Sequence, residues 1–139
     1  MPDLSIIVPV FNEEGSLEEL YRQITSVETE TNQAFEIVFV DDGSKDNSWD
    51  VLKQIAAANN NVKCIRFRRN FGKAAALRAG AAETTSPLVI TIDADLQDDP
   101  AEIPRFIEAL DEDYDLISGW KKNRNDPLGK HYLQKSSTG

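Results

Sequence analysis

Four aspartates crowd into seven residues of the stretch Ile90-Thr91-Ile92-Asp93-Ala94-Asp95-Leu96-Gln97-Asp98-Asp99-Pro100, directly after the apolar run 88–92. Carboxylates spaced Asp-x-Asp at a strand end are hard oxygen donors. They suit Mg2+ or Mn2+, ions that take few protein carboxylates and complete their shell with water and substrate phosphates. Composition alone also allows an acidic turn that leads into the helix started by Pro100. Acids in a first helical turn favour its dipole, and Asp98 and Asp99, next to the proline, suit that role.

Three other polar groups follow apolar runs in the same way. Phe11-Asn12-Glu13-Glu14-Gly15-Ser16 comes after 5–10, Asp41-Asp42-Gly43-Ser44 after 35–40, and Arg68-Arg69-Asn70-Phe71-Gly72-Lys73 after 62–67. Random surface charge would not return to strand ends four times running. Asp41 is open to two readings, a site carboxylate or one that holds the Gly43-Ser44 turn.

These groups need a scaffold, and the periodicity supplies one. The runs 5–10, 35–40, 62–67 and 87–92 read as strands buried on both faces. Between them, Leu17, Leu20, Tyr21, Ile24 and Val27 recur at helical spacing to about residue 29, and Trp49, Leu52, Ile55 and Ala56 mark a second helix, capped by Asp46 or Ser48. An alanine-rich helix spans 73–83, Ile103, Phe106, Ile107 and Leu110 mark a fourth, and 115–119 is a short fifth strand. Pro9 falls at a strand end, where a missing N–H is tolerated. Strands alternating with helices predict a mostly parallel sheet with right-handed crossovers. Ligands of such sheets bind outside the carboxyl ends of the strands, where all four polar groups would meet.

At 139 residues, one domain is expected, with 40% hydrophobic and 28% charged residues, neither disordered nor fibrous. No apolar run approaches the ~20 residues of a transmembrane helix, and no secretory signal pattern opens the chain. The single cysteine, Cys64, excludes an internal disulfide, fits a reducing compartment, and reads as a core residue. A net charge of −9 argues against nucleic acid as a partner. Charge is uneven: residues 1–120 hold 10 bases against 23 acids, whereas 121–139 hold five against one. That basic tail suits an anionic acceptor, a membrane surface, or solvent alone.

A dinucleotide fingerprint Gly-x-Gly-x-x-Gly is absent, and Gly72-Lys73 lacks the earlier glycine of a Walker A loop. A haloacid-dehalogenase-like phosphatase also places Asp-x-Asp after a strand, as in Ile92-Asp93-Ala94-Asp95. It wants that motif on the first strand and Thr or Val where Gln97 stands. A receiver-like Mg2+ pocket would need its acidic pair after strand one, not strand two.

The joint pattern resembles the N-terminal part of family 2 glycosyltransferases, most of all the dolichol-phosphate mannosyltransferase and polyprenyl-phosphate glycosyltransferase branch. The likeness covers residues 4 to about 124. It rests on Ile7-Val8-Pro9-Val10-Phe11-Asn12-Glu13-Glu14, Val40-Asp41-Asp42-Gly43-Ser44-Lys45-Asp46, Arg69-Asn70-Phe71-Gly72-Lys73, Asp93-Ala94-Asp95-Leu96-Gln97-Asp98-Asp99-Pro100 and Ser118-Gly119-Trp120-Lys121.

The resemblance implies a Rossmann-like GT-A nucleotide-diphospho-sugar transferase fold, truncated, with helices on both faces of a mostly parallel sheet. It implies a nucleotide-sugar-binding core over 1–120, with 121–139 the start of an acceptor-side segment or an irregular tail. Pro9, Phe11, Glu13, Asp42, Lys73, Asp93 and Ala94 would border a UDP- or GDP-linked sugar, and Asp93, Asp95 and Gln97 would hold Mg2+ or Mn2+. The implied reaction is inverting transfer to an acceptor, a polyprenyl phosphate before a glycan, at the cytoplasmic face of a membrane. Asp95 would act through the metal; no general base stands out. Lys121 and Arg124 are candidates for an acceptor phosphate, or a solvated basic loop. His131 has no partner ligand nearby and is not a metal candidate. A chain ending at Gly139 lacks most of an acceptor half, so nucleotide-sugar binding without turnover is the alternative.

Overall fold

Two seven-residue strands form the centre of the sheet in the computed structural model, which describes residues 2–110 together with 116–118 and 132–135. They are β1 (Leu4–Val10) and β2 (Phe35–Asp41), paired in parallel over their whole length and buried at nearly every position. The helix α1 (Leu17–Thr31) joins them, and α2 (Ser48–Ala58) leads to β3 (Val62–Arg66), which lies outside β2. After α3 (Lys73–Ala82) the chain returns to the other side of β1 as β4 (Leu88–Thr91). A single 3-10 turn (Pro100–Glu102) opens α4 (Ile103–Leu110). The four parallel strands match the expected α/β sheet, and among the described residues no helix is long and apolar enough to cross a membrane.

Alternation along the strands builds two apolar layers. Leu4, Ile6, Val8 and Val10 of β1 and Phe35, Ile37 and Phe39 of β2 pack with α1, α2 and Ile103 of α4. Ile7, Val38 and Val40 point to the opposite face and pack on Ala76 and Leu77 of α3. Small residues let α3 approach closely. A Cβ on Gly80 would lie 2.5 Å from Cγ2 of Ile7.

The fifth strand, β5, occupies Leu116–Ser118, inside the expected 115–119. Past it the structure departs from expectation: Tyr132–Lys135, within the segment read as the start of an acceptor-side part or an irregular tail, is a strand β6 inserted between β4 and β5 and antiparallel to both, giving the order β3-β2-β1-β4-β6-β5. Tyr-Leu-Gln-Lys carries little strand signal of its own. It forms because the free edge of β4 offers unpaired N–H and C=O groups, a tertiary cue that outweighs local propensity.

At the amino ends of the strands a buried polar cluster ties three strands together. Glu36 accepts from Ser5 Oγ (2.6 Å) and the Thr85 N–H (3.0 Å), with Lys63 Nζ 3.0 Å from its other oxygen. Burial pushes the Glu36 carboxyl up. The bonds from Ser5, Lys63 and Thr85, with the Lys63 charge, outweigh that and hold it below the usual carboxylate range. Cys64 is half-buried, its thiol pushed up to about 11 by burial, which suits the core role read for it.

Candidate active site

β1 and β4 are neighbours, yet the chain reaches β4 only after running outward through β2 and β3. The sheet therefore reverses direction between β1 and β4, and a crevice opens above their carboxyl ends. In the parallel ladder odd-numbered β1 residues face β4, as the Ile92 N–H bond to the Ile7 carbonyl shows. Pro9 is the next residue of that parity. It lies past the last β1–β4 pair, so no ladder bond needs the N–H it lacks.

The loop after β1 is fastened to the loop after β2. The Asn12 N–H donates to Ser44 Oγ (2.8 Å), and Asn12 Oδ1 accepts from the Lys45 N–H (2.8 Å). The Glu13 N–H donates to Ser48 Oγ (2.9 Å), and the Glu14 N–H to Asp46 (3.3 Å). Asp46 also accepts from the Ser48 N–H at the start of α2, as a cap should, although Asn47 holds the N-cap position. Partial burial pushes the Asp46 carboxyl up, but the bonds from Ser48 and Glu14 prevail and hold it below the usual range. Ser16 Oγ donates to the Ala94 carbonyl (2.6 Å), so the start of α1 is tied to the turn after β4.

A second set of bonds fastens the loop after β3. Asp42 is buried, and its two carboxylate oxygens accept from the N–H groups of Phe71 (2.7 Å) and Gly72 (3.1 Å). Its backbone carbonyl accepts from Asn70 Nδ2 (3.2 Å). Gly43, at φ +80°, lies against the same loop, with no room for a side chain. Asp41 is fully buried and accepts the Ser44 N–H (2.9 Å), so it holds the Gly43-Ser44 turn. These bonds deliver Lys73, the first residue of α3, to the crevice. There its Nζ lies 2.7 Å from Oδ1 of Asp93, with the lysine side chain 57% exposed.

The turn after β4 divides the four aspartates. Asp98 is buried and turned back, accepting the Asp93 N–H at 2.6 Å. This corrects the reading of Asp98 as a first-turn helix acid, because the carboxylate instead closes the turn that presents Asp93. Asp99 keeps the helix role and caps the 3-10 turn by accepting the Ala101 N–H (3.0 Å). Leu96 sits at φ +66°, a conformation that costs a leucine about 1 kcal/mol or more. The Gln97 N–H returns to Asp95 Oδ1 (3.1 Å), and both residues are exposed.

The result is a cleft of about 220 Å³ lined by Pro9, Val10, Phe11, Glu13, Asp42, Lys73, Asp93, Ala94 and Asp95. Every residue read as nucleotide-bordering lies on this wall. Of the three read as metal-facing, Asp93 and Asp95 line it and Gln97 does not. Lys121, Arg124 and His131 lie outside the described residues. Val10 and Ser16 were given no role of their own, and Ser44 and Ser48 were read only as turn and helix-cap residues, a common place for serine.

Among the described residues no three carboxylate, histidine or cysteine side chains form a ready metal cage. Two carboxylates on one cleft wall nonetheless fit a hard divalent ion that takes its other oxygens from a phosphate and water. The arrangement thus offers carboxylates for a cation, an ammonium for an anion, and the half-exposed Phe11 ring for a flat apolar group.

Residues 5–137 match the sequence model of the family described as Glycosyl transferase family 2. Solved structures agree in fold. A mannosyltransferase from Pyrobaculum calidifontis, in complex with GDP-Man and Mn2+, matches at 21% identity with a TM-score of 0.78, covering 97% of this chain and 46% of its own. Glucosyl-3-phosphoglycerate synthase from Mycobacterium tuberculosis, with Mn2+, UDP and phosphoglyceric acid, matches at 19% and 0.72, covering 97% and 56%. TarS 1–349 of S. aureus, in complex with UDP-GlcNAc, matches at 22% and 0.65, covering 90% and 37%. The chain spans about half the length of these proteins or less, and the fold they share is the GT-A fold implied by the motif resemblance.

Proposed function

Because this chain belongs to glycosyl transferase family 2, we propose that its crevice binds a nucleoside-diphosphate sugar with Mg2+ or Mn2+ and serves sugar transfer with inversion at the anomeric carbon. One observation carries the reading: Lys73 and Asp93, paired at 2.7 Å, share a wall with Asp95, Phe11 and Glu13 at the point where the sheet reverses. Phe11 and Pro9 offer an apolar seat for the base, and Glu13 accepts hydrogen bonds from the nucleoside. Asp42, its oxygens engaged by the Phe71 and Gly72 N–H groups, holds Lys73 in position toward the diphosphate.

Asp93 and Asp95 would hold the divalent ion, whose chemistry is to offset charge developing on the departing diphosphate. The bond from the anomeric carbon to the diphosphate oxygen breaks as a bond from an acceptor oxygen forms on the opposite face. The acceptor we favour is a polyprenyl phosphate, which would bring the protein to the cytoplasmic face of a membrane. Two things support it: the motif resemblance to that branch, and the ionisation of such a phosphate at neutral pH, which removes the need for a general base. Among the described residues no carboxylate beyond those already assigned faces the crevice.

Calorimetry with UDP and GDP, each with and without Mn2+, tests the binding step. Metal-dependent binding that is lost in Asp95→Ala is expected, and no binding of either nucleotide refutes the proposal. Release of nucleoside diphosphate from a nucleotide sugar on adding polyprenyl phosphate then separates transfer from binding alone.

A further inference from the structure

A second cleft, of about 300 Å³, lies at the outer side of the same sheet edge and is lined by Gly43, Ser44, Arg66, Phe67 and Arg68. None of these residues lines the crevice between β1 and β4. Residues 64–82 contain five basic side chains and no acidic one, in a chain whose net charge is −9. Alternation along β3 and the bend after it explain how two of them meet. Val62 and Cys64 face the α1–α2 layer, so Arg66, the last residue of β3, continues on that side, and the bend after β3 brings Arg68 to the same cleft.

The guanidinium groups here are uncompensated. Among the described residues Arg22, Lys53, Lys63, Lys73 and Arg105 each form an ion pair, whereas Arg66, Arg68 and Arg69 form none. The nearby acids of the α2 region are already engaged: Asp46 by the N–H groups of Ser48 and Glu14, Asp50 by Lys53 at 3.6 Å. Arg66 is instead seated on the face of Trp49, 5.4 Å from the ring centroid, and Arg69 on Phe71 at 4.3 Å. Stacking of this kind restrains a guanidinium without using the in-plane N–H donors that bind oxyanions. Ser44 Oγ accepts the Asn12 N–H and retains its own proton as a further donor.

We propose that the Arg66–Arg68 cleft is a second binding site, for a phosphate-bearing anion, separate from the nucleotide-sugar crevice. Two guanidinium forks and a hydroxyl match the geometry of a phosphate oxyanion. The volume admits the phosphate and part of the group that carries it. A soluble phosphate ester and a lipid headgroup share this chemistry.

The test is a titration of the 15N-labelled chain with inorganic phosphate, followed by amide shifts. Saturable shifts at Gly43, Ser44 and Arg68, weakened at least tenfold in the R66Q/R68Q double variant, are expected. The charge-preserving R66K/R68K variant should fall between the two, because it keeps the charge and loses the forks. Shifts confined to residues 93–95, or a double variant that binds like wild type, overturn the proposal. Both arginines are exposed, so neither variant threatens folding, and the thermal midpoint verifies this.

Co-sedimentation with phosphatidylcholine vesicles, with and without phosphatidic acid, distinguishes the sources. Binding only to acidic vesicles, lost in R66Q/R68Q, identifies a headgroup. Phosphate shifts without vesicle binding identify a soluble ester. Failure of UDP and GDP to bind would sink the nucleotide-sugar reading and leave this result untouched.

Discussion

Replacing Gly43 by alanine separates two effects that usually come together. At φ +80° an L-residue is strained by about 1–2 kcal/mol. Its Cβ would also fall 2.4 Å from the carbonyl carbon of Arg69, 2.5 Å from the Asn70 nitrogen and 2.8 Å from the Arg69 Cα. All three are backbone atoms, so no rotamer change relieves them, and a forced shift of this kind costs about 1–3 kcal/mol. The total is about 3 kcal/mol, after the roughly 0.5 kcal/mol that alanine recovers by restricting the unfolded chain. Gly72 is the control. Its φ of +101° and ψ of +158° lie in a region only glycine visits readily, costing alanine about 1–3 kcal/mol. A Cβ there has nothing within 4 Å, however, so after the gain in the unfolded chain Gly72→Ala should lose about 1–2 kcal/mol. Urea unfolding of the two variants should differ by about 1–2 kcal/mol, a midpoint gap of about 0.5–1 M for typical slopes. Gly43→Ala should also weaken nucleotide binding, because moving Arg69 and Asn70 drags Phe71 and Gly72 off Asp42. Equal losses in the two variants would refute the claim that close contact between the loops after β2 and β3, and not backbone conformation alone, requires glycine at 43.

Three further variants test other parts of the molecule. Glu36→Ala leaves Ser5, Thr85 and Lys63 without their shared acceptor and should cost about 2–3 kcal/mol, measured by urea unfolding at pH 7. Because the folded Glu36 carboxyl is held below its ordinary value, its contribution is complete above that value, about 4.3, and fades as pH falls through the folded one. Glu36→Gln should therefore flatten the loss of wild-type stability as pH falls below the ordinary carboxylate value, and an unchanged acid limb would count against the cluster. Lys73→Ala removes the cation that shares Asp93 with any metal. An exposed pair of this kind is worth about 0.5–1 kcal/mol, so Mn2+ alone should bind about two- to fivefold more tightly. UDP and GDP should bind more weakly. Calorimetry reads both, and unchanged Mn2+ affinity would show that the pair does not compete with metal.

The alternation of apolar runs with amphipathic helices was enough to place four parallel strands and all four polar clusters at their carboxyl ends, because side-chain period and strand–helix order are local properties. Asp93 and Asp95 stood out because they come straight after an apolar run, whereas Pro9, Phe11, Glu13 and Lys73 were marked by the resemblance of their motifs to family 2 glycosyltransferases. Which neighbour each carboxylate meets was not legible. Asp98 and Asp99 are adjacent and chemically identical, yet one turns inward to the Asp93 N–H and the other caps the next turn. Asp42 reads like any strand-end acid until the loop after β3 folds over it and uses both its oxygens. Residues 132–135 read as part of an acceptor-side segment or an irregular tail until the edge of β4 stands beside them. In each case the deciding partner is an unpaired backbone group contributed by the surrounding fold. A buried N–H or C=O must be satisfied, and only the tertiary structure determines which residue is near enough to do it.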